Sequence, residues 1–353
     1  MWSRPDESLV IAPRRSTRCS GGAQRTCRVL VLVCAVTTCG CTWDWQLLEN
    51  GSDAGTDPGT DAAPGVTVDL DTSSVCVPAG GALTLTWSST GATSCEAEGP
   101  GFSGARPVEG SEDVVEPTGG DYAIRCRGPG GEDAASVTVL VDPGATSDIR
   151  APYGARDLAD TASVEWQTDR HLAEMVQDGD NPGSRDLVAT FRVAWDLARL
   201  YVTVSVVDDD LQLVTGAAEL DHDLVEVMIN GRNDAPYRTP AGTLRFDVDD
   251  HRLAFSPEGV LWTTDPAQPR GTDVVSQAWP TASGYEMEIA VQWPFVVGAD
   301  GHVPAPGDVI GFDVAVVDRD AGEDPPTVVV WRLTEFRWRN TEGWGTVALG
   351  CSL

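Results

Sequence analysis

The chain has 353 residues, of which 24 are basic and 54 acidic, so its net charge is −30. Every basic residue is an arginine. A chain this acidic repels the phosphates of nucleic acids and anionic membrane surfaces, which argues against DNA or RNA as a partner. Its apolar fraction of 41% is ordinary for a globular protein. The length allows about two domains.

Residues 1–40 have the three parts of a secretory signal peptide. Six arginines precede residue 30, an apolar run covers 29–36, and small residues follow. The segment resembles a bacterial lipoprotein signal, in which a small residue precedes the cysteine that receives lipid. The resemblance implies lipidation of Cys41, which follows Gly40, with Cys39 as the alternative. A plain signal peptide cut nearby is the other interpretation.

Residues 41–65 are expected to be the lipidated cysteine and a disordered acidic linker. From Asn50 onward the sequence is almost entirely Gly, Asp, Thr, Pro and Ala, which cannot bury a core. This pattern predicts an exported protein, held at a bacterial membrane by its lipid anchor alone, in the periplasm or on the cell surface.

Residues 66–142 alternate apolar and polar side chains in short runs, with Gly, Pro and Ser breaks about every ten residues, which predicts a β-sandwich. The stretches from Leu85 to Cys95 and from Tyr122 to Cys126 resemble a bacterial immunoglobulin-like repeat. That resemblance implies a Cys95–Cys126 disulfide, a core position for Trp87 and a spacer role.

Two further cysteines remain after export, Cys76 and Cys351. An exported chain with an even number of cysteines is expected to form disulfides. If Cys95 pairs with Cys126, the other two either form a second bond that ties the end of the chain to the first sandwich, or stay free.

Residues 143–353 are also expected to be rich in strands. Apolar and alternating runs at 188–195, 200–207, 224–229, 243–248, 285–291, 309–317 and 327–333 predict about seven to nine strands in one large antiparallel sandwich. A short segment near 169–177 is the one candidate for a helix. The predicted fold class is therefore all-β, with a small sandwich followed by a larger one.

The large region carries an ordered series of short motifs: Trp195-Asp196, Asp223-Leu224-Val225-Glu226, Gly284-Tyr285-Glu286, Trp293-Pro294 and Trp344-Gly345-Thr346. In this order the series resembles the family 9 carbohydrate-binding module, first known as an appendage of xylanases. The resemblance implies that a sugar is gripped between two Trp faces while polar side chains fix its hydroxyls.

Glu226 matches the acidic residue that can contact sugar in this family. The first stacking Trp is expected six residues earlier, where this chain has Leu220. Arg245 is the candidate for the sugar-binding arginine of the family. Candidates for the second aromatic platform are Trp331 and Trp338.

Trp331 follows three valines and is expected in the core, whereas Trp338 lies beside Asn340 in a polar stretch that resembles a binding rim. Asn340 is therefore a further sugar-binding candidate.

Carboxylates cluster at the predicted strand ends. Oxygen-rich loops suit Ca²⁺, which family members bind structurally, and the alternative is that these acidic loops are simply solvated. The candidate ligands are Asp208, Asp209, Asp210, Asp247, Asp249, Asp318 and Asp320. No other cofactor is expected.

Together these features predict a non-catalytic, surface-anchored lipoprotein that binds xylan-, cellulose- or other glycan-derived chains. The sequence marks no G-x-S-x-G nucleophile elbow and no carboxylate pair of a glycosidase. The main alternative is a structural or protein-interaction envelope lipoprotein that has lost sugar binding, which Leu220 favours. An accessory subunit of a glycoside hydrolase system is a third possibility.

Overall fold

The computed structural model describes residues 64–154, 170–171, 173–175, 187–208, 210–211, 222–263, 269–298, 301–320, 326–332 and 341–351. These residues belong to one compact unit, Thr60–Leu353. They form two β-sandwiches, so the predicted all-β class is confirmed.

The small sandwich has a three-stranded sheet ordered β1-β3-β6 that packs on a five-stranded sheet ordered β2-β8-β7-β4-β5. The strands are β1 (Thr67–Thr72), β2 (Cys76–Pro78), β3 (Ala82–Thr90), β4 (Ser94–Glu98), β5 (Gly104–Arg106), β6 (Glu109–Val115), β7 (Gly120–Gly128) and β8 (Gly131–Asp142).

Trp87 lies in the core of the small sandwich, as expected. It packs with Phe102 at 5.6 Å between ring centroids, and its indole N–H donates to the Pro107 carbonyl at 2.9 Å. Cys95 and Cys126 lie opposite each other on β4 and β7 and form the expected disulfide. This bond joins neighbouring strands of one sheet.

The large sandwich has a five-stranded sheet, ordered β10-β12-β13-β20-β19, and an eight-stranded sheet. The eight-stranded sheet runs β11-β22-β21-β14-β17-β18, and β23 pairs with both β21 and β9. The strands are β9 (Ile149–Pro152), β10 (Arg170–His171), β11 (Ala173–Met175), β12 (Val188–Trp195), β13 (Arg199–Val207), β14 (Leu224–Asn230), β15 (Tyr237–Arg238), β16 (Leu244–Arg245), β17 (Asp250–Phe255), β18 (Leu261–Thr263), β19 (Val274–Thr281), β20 (Gly284–Gln292), β21 (Val309–Asp318), β22 (Thr327–Val330) and β23 (Gly345–Gly350).

The only helix among the described residues is α1 (Trp293–Val296), which begins at the Trp-Pro motif. Among the described residues, then, no helix is long and apolar enough to cross a membrane.

The main core lies between the two sheets of the large sandwich, where alternate side chains of facing strands meet. On β14 these are Val225, Val227 and Ile229, which pack with residues such as Phe191 on β12. All seven residues of β14 are buried, so its outward side chains are covered as well. That second face carries the candidate site.

The strand predictions differ from the structure in several places. The described residues of the large region contain fifteen strands, β9 to β23, where about seven to nine were predicted. The predicted strand at 243–248 is reduced to β16, which ends at Arg245, and a turn at residues 248–249 leads into β17. The segment near 169–177, a candidate helix, contains the strands β10 and β11. β17 begins Asp250-His251-Arg252, and these polar residues concealed a central strand in the sequence.

A disulfide between Cys76 and Cys351 joins the two sandwiches, which decides between the two alternatives for these cysteines. Beside it, the buried carboxylate of Asp142 pairs with Arg150 and accepts the N–H of Cys351 at 3.1 Å. Burial raises the pKa of Asp142. The backbone N–H groups of Gly144 and Cys351 and the ion pair with Arg150 outweigh burial and hold this pKa below its usual value. Covalent and polar contacts therefore hold the ends of β2, β8 and β23 together.

Replacing both Cys76 and Cys351 with serine should lower the stability of the folded chain by about 3–5 kcal/mol. The reason is that the bond closes a very long loop and so restricts the unfolded chain. Thermal and denaturant unfolding of the non-reduced proteins would measure the difference. Equal melting temperatures for parent and double variant would show that the bond contributes nothing to stability.

Candidate functional site

The outer face of the eight-stranded sheet carries a charged pair within an apolar surface. Leu224, Glu226 and Met228 alternate with the core residues of β14 and point away from the main core. On this face Leu224 and Met228 belong to a second apolar cluster with residues of β17, β21 and β22. Glu226 is therefore a carboxylate set into an apolar sheet face.

Glu226 forms an ion pair with Arg252 of the neighbouring strand β17. The register places Arg252 opposite Met228, one diagonal step from Glu226 on the same face. Glu226 is 0% and Arg252 7% exposed, so water screens the pair weakly. The carboxylate holds the guanidinium in one place, and the guanidinium offers fixed N–H donors.

Three aromatic side chains belong to or pack against the apolar cluster on this face. Trp344, which is buried, and Phe246 pack against each other with ring centroids 5.7 Å apart. Trp262 of β18 is half-buried at the edge of the same cluster. The indole N–H of Trp344 is buried and finds no hydrogen-bond partner among the described residues. Aromatic surface and fixed polar groups therefore occur together on this face.

Two of the predicted sugar-binding residues lie away from the pair. Arg245 is exposed on the small hairpin of β15 and β16, so Arg252, and not Arg245, is the arginine beside Glu226. Trp331 follows Val330 and points to the opposite side of the sheet, where its ring contacts Phe191 at 5.3 Å between centroids. Trp331 therefore packs on the main core, as its apolar surroundings predicted.

Trp338, Asn340, Leu220, Asp209 and Cys41 lie outside the described residues. Arg252 itself was missed, although the alternation of Arg252 and Ala254 is a sequence signal that places both on one face.

The first carboxylate cluster lies where β13 and β21 end. Asp208, Asp318 and Asp320 offer carboxylate oxygens within 4.8 Å of one another, and the first two residues are buried. The hydroxyl of Tyr285 is also buried and finds no hydrogen-bond partner in the described part of the chain. Burial, together with carboxylates that include Asp208 and Asp318, raises the pKa of Tyr285 well above its usual value. Asp210 is exposed, and its backbone N–H donates to Asp208 at 2.9 Å.

The second cluster combines the predicted Asp247 and Asp249 with Asp234, again with oxygens within 4.8 Å. Arg232 already pairs with Asp249 at 3.1 Å, which supplies one positive charge. Burial and the neighbouring Asp247 raise the pKa of Asp249 to about 6. Burial and the neighbouring carboxylates of Asp247, Asp249 and Asp234 raise the pKa of Asp250 to about 7. The sequence did not indicate Asp234 as a member of this cluster, because Asp234 follows β14 whereas Asp247 and Asp249 precede β17.

Removing one member of the Glu226–Arg252 pair should be more damaging than removing both. Glu226→Met or Arg252→Met leaves a buried charge without its partner, and each should cost about 3 kcal/mol or more. The double variant Glu226→Met/Arg252→Met removes both charges and should cost less than either single variant. Denaturant unfolding of the four proteins measures this coupling, and strictly additive costs would contradict it.

Comparison with known proteins identifies the region that contains this face. A family described as "Carbohydrate family 9 binding domain-like" matches residues 160–351, more than half of the chain. Similar proteins include endo-1,4-beta-xylanase A of Thermoanaerobacterium saccharolyticum and exoglucanase XynX of Acetivibrio thermocellus. Each is 27% identical over 170 residues, 47% of this chain. The match spans only 13% and 14% of those proteins, respectively.

Among solved structures, a carbohydrate-binding module of family 9 from Caldicellulosiruptor kristjanssonii has been determined in complex with cellotriose and with glucose. Both structures are 17% identical to this chain, with a TM-score of 0.45. Each comparison covers 57% of this chain and, respectively, 93% and 94% of the solved one. From the match over residues 160–351, the chain belongs to the carbohydrate family 9 binding domain-like family.

Proposed function

We propose that this protein is a non-catalytic carbohydrate-binding protein that holds a poly- or oligosaccharide on the outer face of the eight-stranded sheet. The observation that carries the proposal is the family match, because residues 160–351 contain the strands β14, β17, β18 and β21 that build this face. The Glu226–Arg252 pair and the indoles of Trp262 and Trp344 lie on this face, and charged groups and indole rings are the residue types that sugar-binding sites use.

The arrangement of Glu226 favours binding over catalysis. The carboxylate is fully buried and occupied by Arg252. Glycoside hydrolysis needs two carboxyl groups that reach the scissile bond from opposite sides. Glu226 therefore suits the positioning of Arg252, whereas the family resemblance implies a direct contact with the sugar. The two similar enzymes match this chain only through a small part of their length.

The export and anchoring of the protein are part of the proposal. The arginine-rich leader, the apolar run and Cys41 favour a lipoprotein in the bacterial envelope, with residues 42–65 as a tether. Two disulfides in the folded region are in keeping with an oxidising compartment. In this arrangement the small sandwich, which resembles an immunoglobulin-like repeat, is a spacer between tether and sugar-binding sandwich.

The full chain should bind at least one glycan derived from xylan or cellulose, since two similar proteins are named a xylanase and an exoglucanase. A glycan array followed by calorimetric titration would measure this. Trp338→Ala should weaken binding if that ring stacks on the sugar, and equal affinity would remove Trp338 from the site. Absence of binding to every glycan would favour the envelope-interaction alternative.

We further propose that Asp208, Asp318 and Asp320 hold a structural Ca²⁺. Three carboxylates this close, two of them buried, repel one another, and a divalent cation would offset that repulsion. The buried hydroxyl of Tyr285 is a further oxygen next to the cluster. The Asp234–Asp247–Asp249 cluster is a weaker candidate, because Arg232 already supplies positive charge there.

Adding Ca²⁺ to chelator-treated protein should raise the melting temperature by about 5 °C at saturating concentrations, because the ion binds the folded state selectively. Asp318→Asn should abolish most of that rise. Asp121→Asn is the matched control, since Asp121 lies in the small sandwich, where it accepts a hydrogen bond from the Thr138 hydroxyl, and its replacement should leave the rise intact. An identical melting curve with and without calcium would rule out the site.

A further inference from the structure

The strand β19 lies at the edge of the five-stranded sheet, and its outer side is open. It pairs with β20 on its inner side. Every residue of β19 is at least partly exposed. None of the described residues forms a backbone hydrogen bond with its outer edge. A row of N–H and C=O groups of this kind is a template on which another strand can add.

The other edge strands are protected in ways that β19 is not. β1 carries Asp69 and Asp71. β6 carries Glu109, Glu112 and Asp113. The remaining edge strands among the described residues are only two to four residues long. β19 has eight residues and no charged side chain, in a chain of net charge −30. Because short or charged edges resist strand addition, β19 is the edge at which a further strand fits best.

The pairing with β20 fixes which backbone groups of β19 point outward. Residues of an antiparallel strand bond alternately to the neighbour on one side and to the neighbour on the other. The N–H of Gln292 donates to the carbonyl of Asp273 at 2.8 Å, and this pair directly precedes the first pair of β19 and β20. The odd-numbered residues of β19 therefore bond to β20. The even-numbered residues turn their backbone groups outward, namely Val274, Ser276, Ala278 and Pro280.

This outer edge is complementary to itself. In an antiparallel pair centred on Ser276, that residue lies opposite Ser276 of a second copy, and Val274 lies opposite Ala278. Each of the three then donates one hydrogen bond and accepts one, which gives about six in all. Pro280, which has no N–H to donate, lies just beyond these pairs, where an edge strand tolerates proline.

We propose that β19 is a self-association surface, through which two copies of this chain pair antiparallel across a two-fold axis. The paired strands join the two five-stranded sheets into one continuous sheet. A second copy is the occupant that the edge fits, because the same strand supplies a carbonyl for every outward N–H of β19. Two chains of net charge −30 repel each other, and the uncharged β19 is a place where they meet without opposing like charges. The pairing does not depend on the proposed sugar binding.

Sedimentation equilibrium of the full chain should show a monomer–dimer equilibrium at concentrations up to about 100 µM, since so small an interface is weak. Added salt should favour the dimer, because it screens the repulsion between the chains. Ser276→Pro removes the N–H at the centre of the pair and should weaken dimerisation by about tenfold or more. Pro280→Ala is the matched control, since it also changes an outward position but lies beyond the paired residues, and it should leave the dimer intact.

Two charge variants test the register of the pair. Val275 and Gln277 point away from the main core, whereas Val274 and Ala278 pack against it. In the proposed dimer Val275 lies opposite Gln277 of the second copy. The variant Val275→Glu/Gln277→Glu places carboxylates opposite each other and should abolish the dimer. The variant Val275→Glu/Gln277→Arg places opposite charges at the same positions and should restore most of it.

Thermal unfolding of each variant checks that the monomer is folded. A parent that stays monomeric at every concentration and salt level overturns the proposal. A dimer that persists equally in the Ser276→Pro and Val275→Glu/Gln277→Glu variants also overturns it, since the interface then lies elsewhere. If Ser276→Pro does not fold, the charge variants decide: recovery with arginine supports the pairing of β19, and equal loss in both variants overturns it.

Discussion

The central constraint on this protein is that the eight-stranded sheet is covered on both faces. One face closes the main core against the five-stranded sheet, and the other is covered by a second apolar cluster. A two-sided sheet needs strands that are apolar at nearly every position, which is why β14 and β21 read as almost continuous hydrophobic runs. Any polar group on the outer face must then be satisfied within the protein or by a ligand.

Glu226 and Arg252 meet that requirement for each other. A buried charge is expensive unless it is paired, and pairing across neighbouring strands ties the position of the guanidinium to the register of β14 and β17. Ala254 and Ala315 lie directly opposite Glu226 on the two neighbouring strands, and both are fully buried. This face therefore combines aliphatic and aromatic groups with one fixed polar pair.

Two groups of acidic side chains lie where strands end. Asp208 and Asp318 end up side by side because β13 and β21 finish at the same end of the sandwich, although they belong to different sheets. At the other junction, the ends of β2, β8 and β23 meet around Asp142 and the Cys76–Cys351 disulfide. Both the carboxylate cluster and the disulfide junction lie at strand ends, where side chains no longer alternate between the two faces of a sheet.

Much of the architecture could be predicted from the sequence. Period-two alternation marked most long strands, the motif around Glu226 marked the strand that carries the candidate site, and the apolar run before Trp331 marked a core residue. The same alternation did not predict the short extent of β16 or the polar start of β17, and the pairing of Arg252 with Glu226 was not predicted. The sequence alone also left the partner of Cys76 open.

By itself, the sequence determined the all-β class and which side chains of a strand share a face, because alternation is a local property of extended backbone. Only the tertiary structure decided that Arg252 and Ala254 lie beside Glu226, with Trp262 one strand further, and that the carboxylates of Asp208 and Asp318 come together. These neighbours come from strands that are distant in the chain. Which strands pair, and in what register, depends on hydrogen bonds and packing across the whole sheet, so no local pattern can specify it.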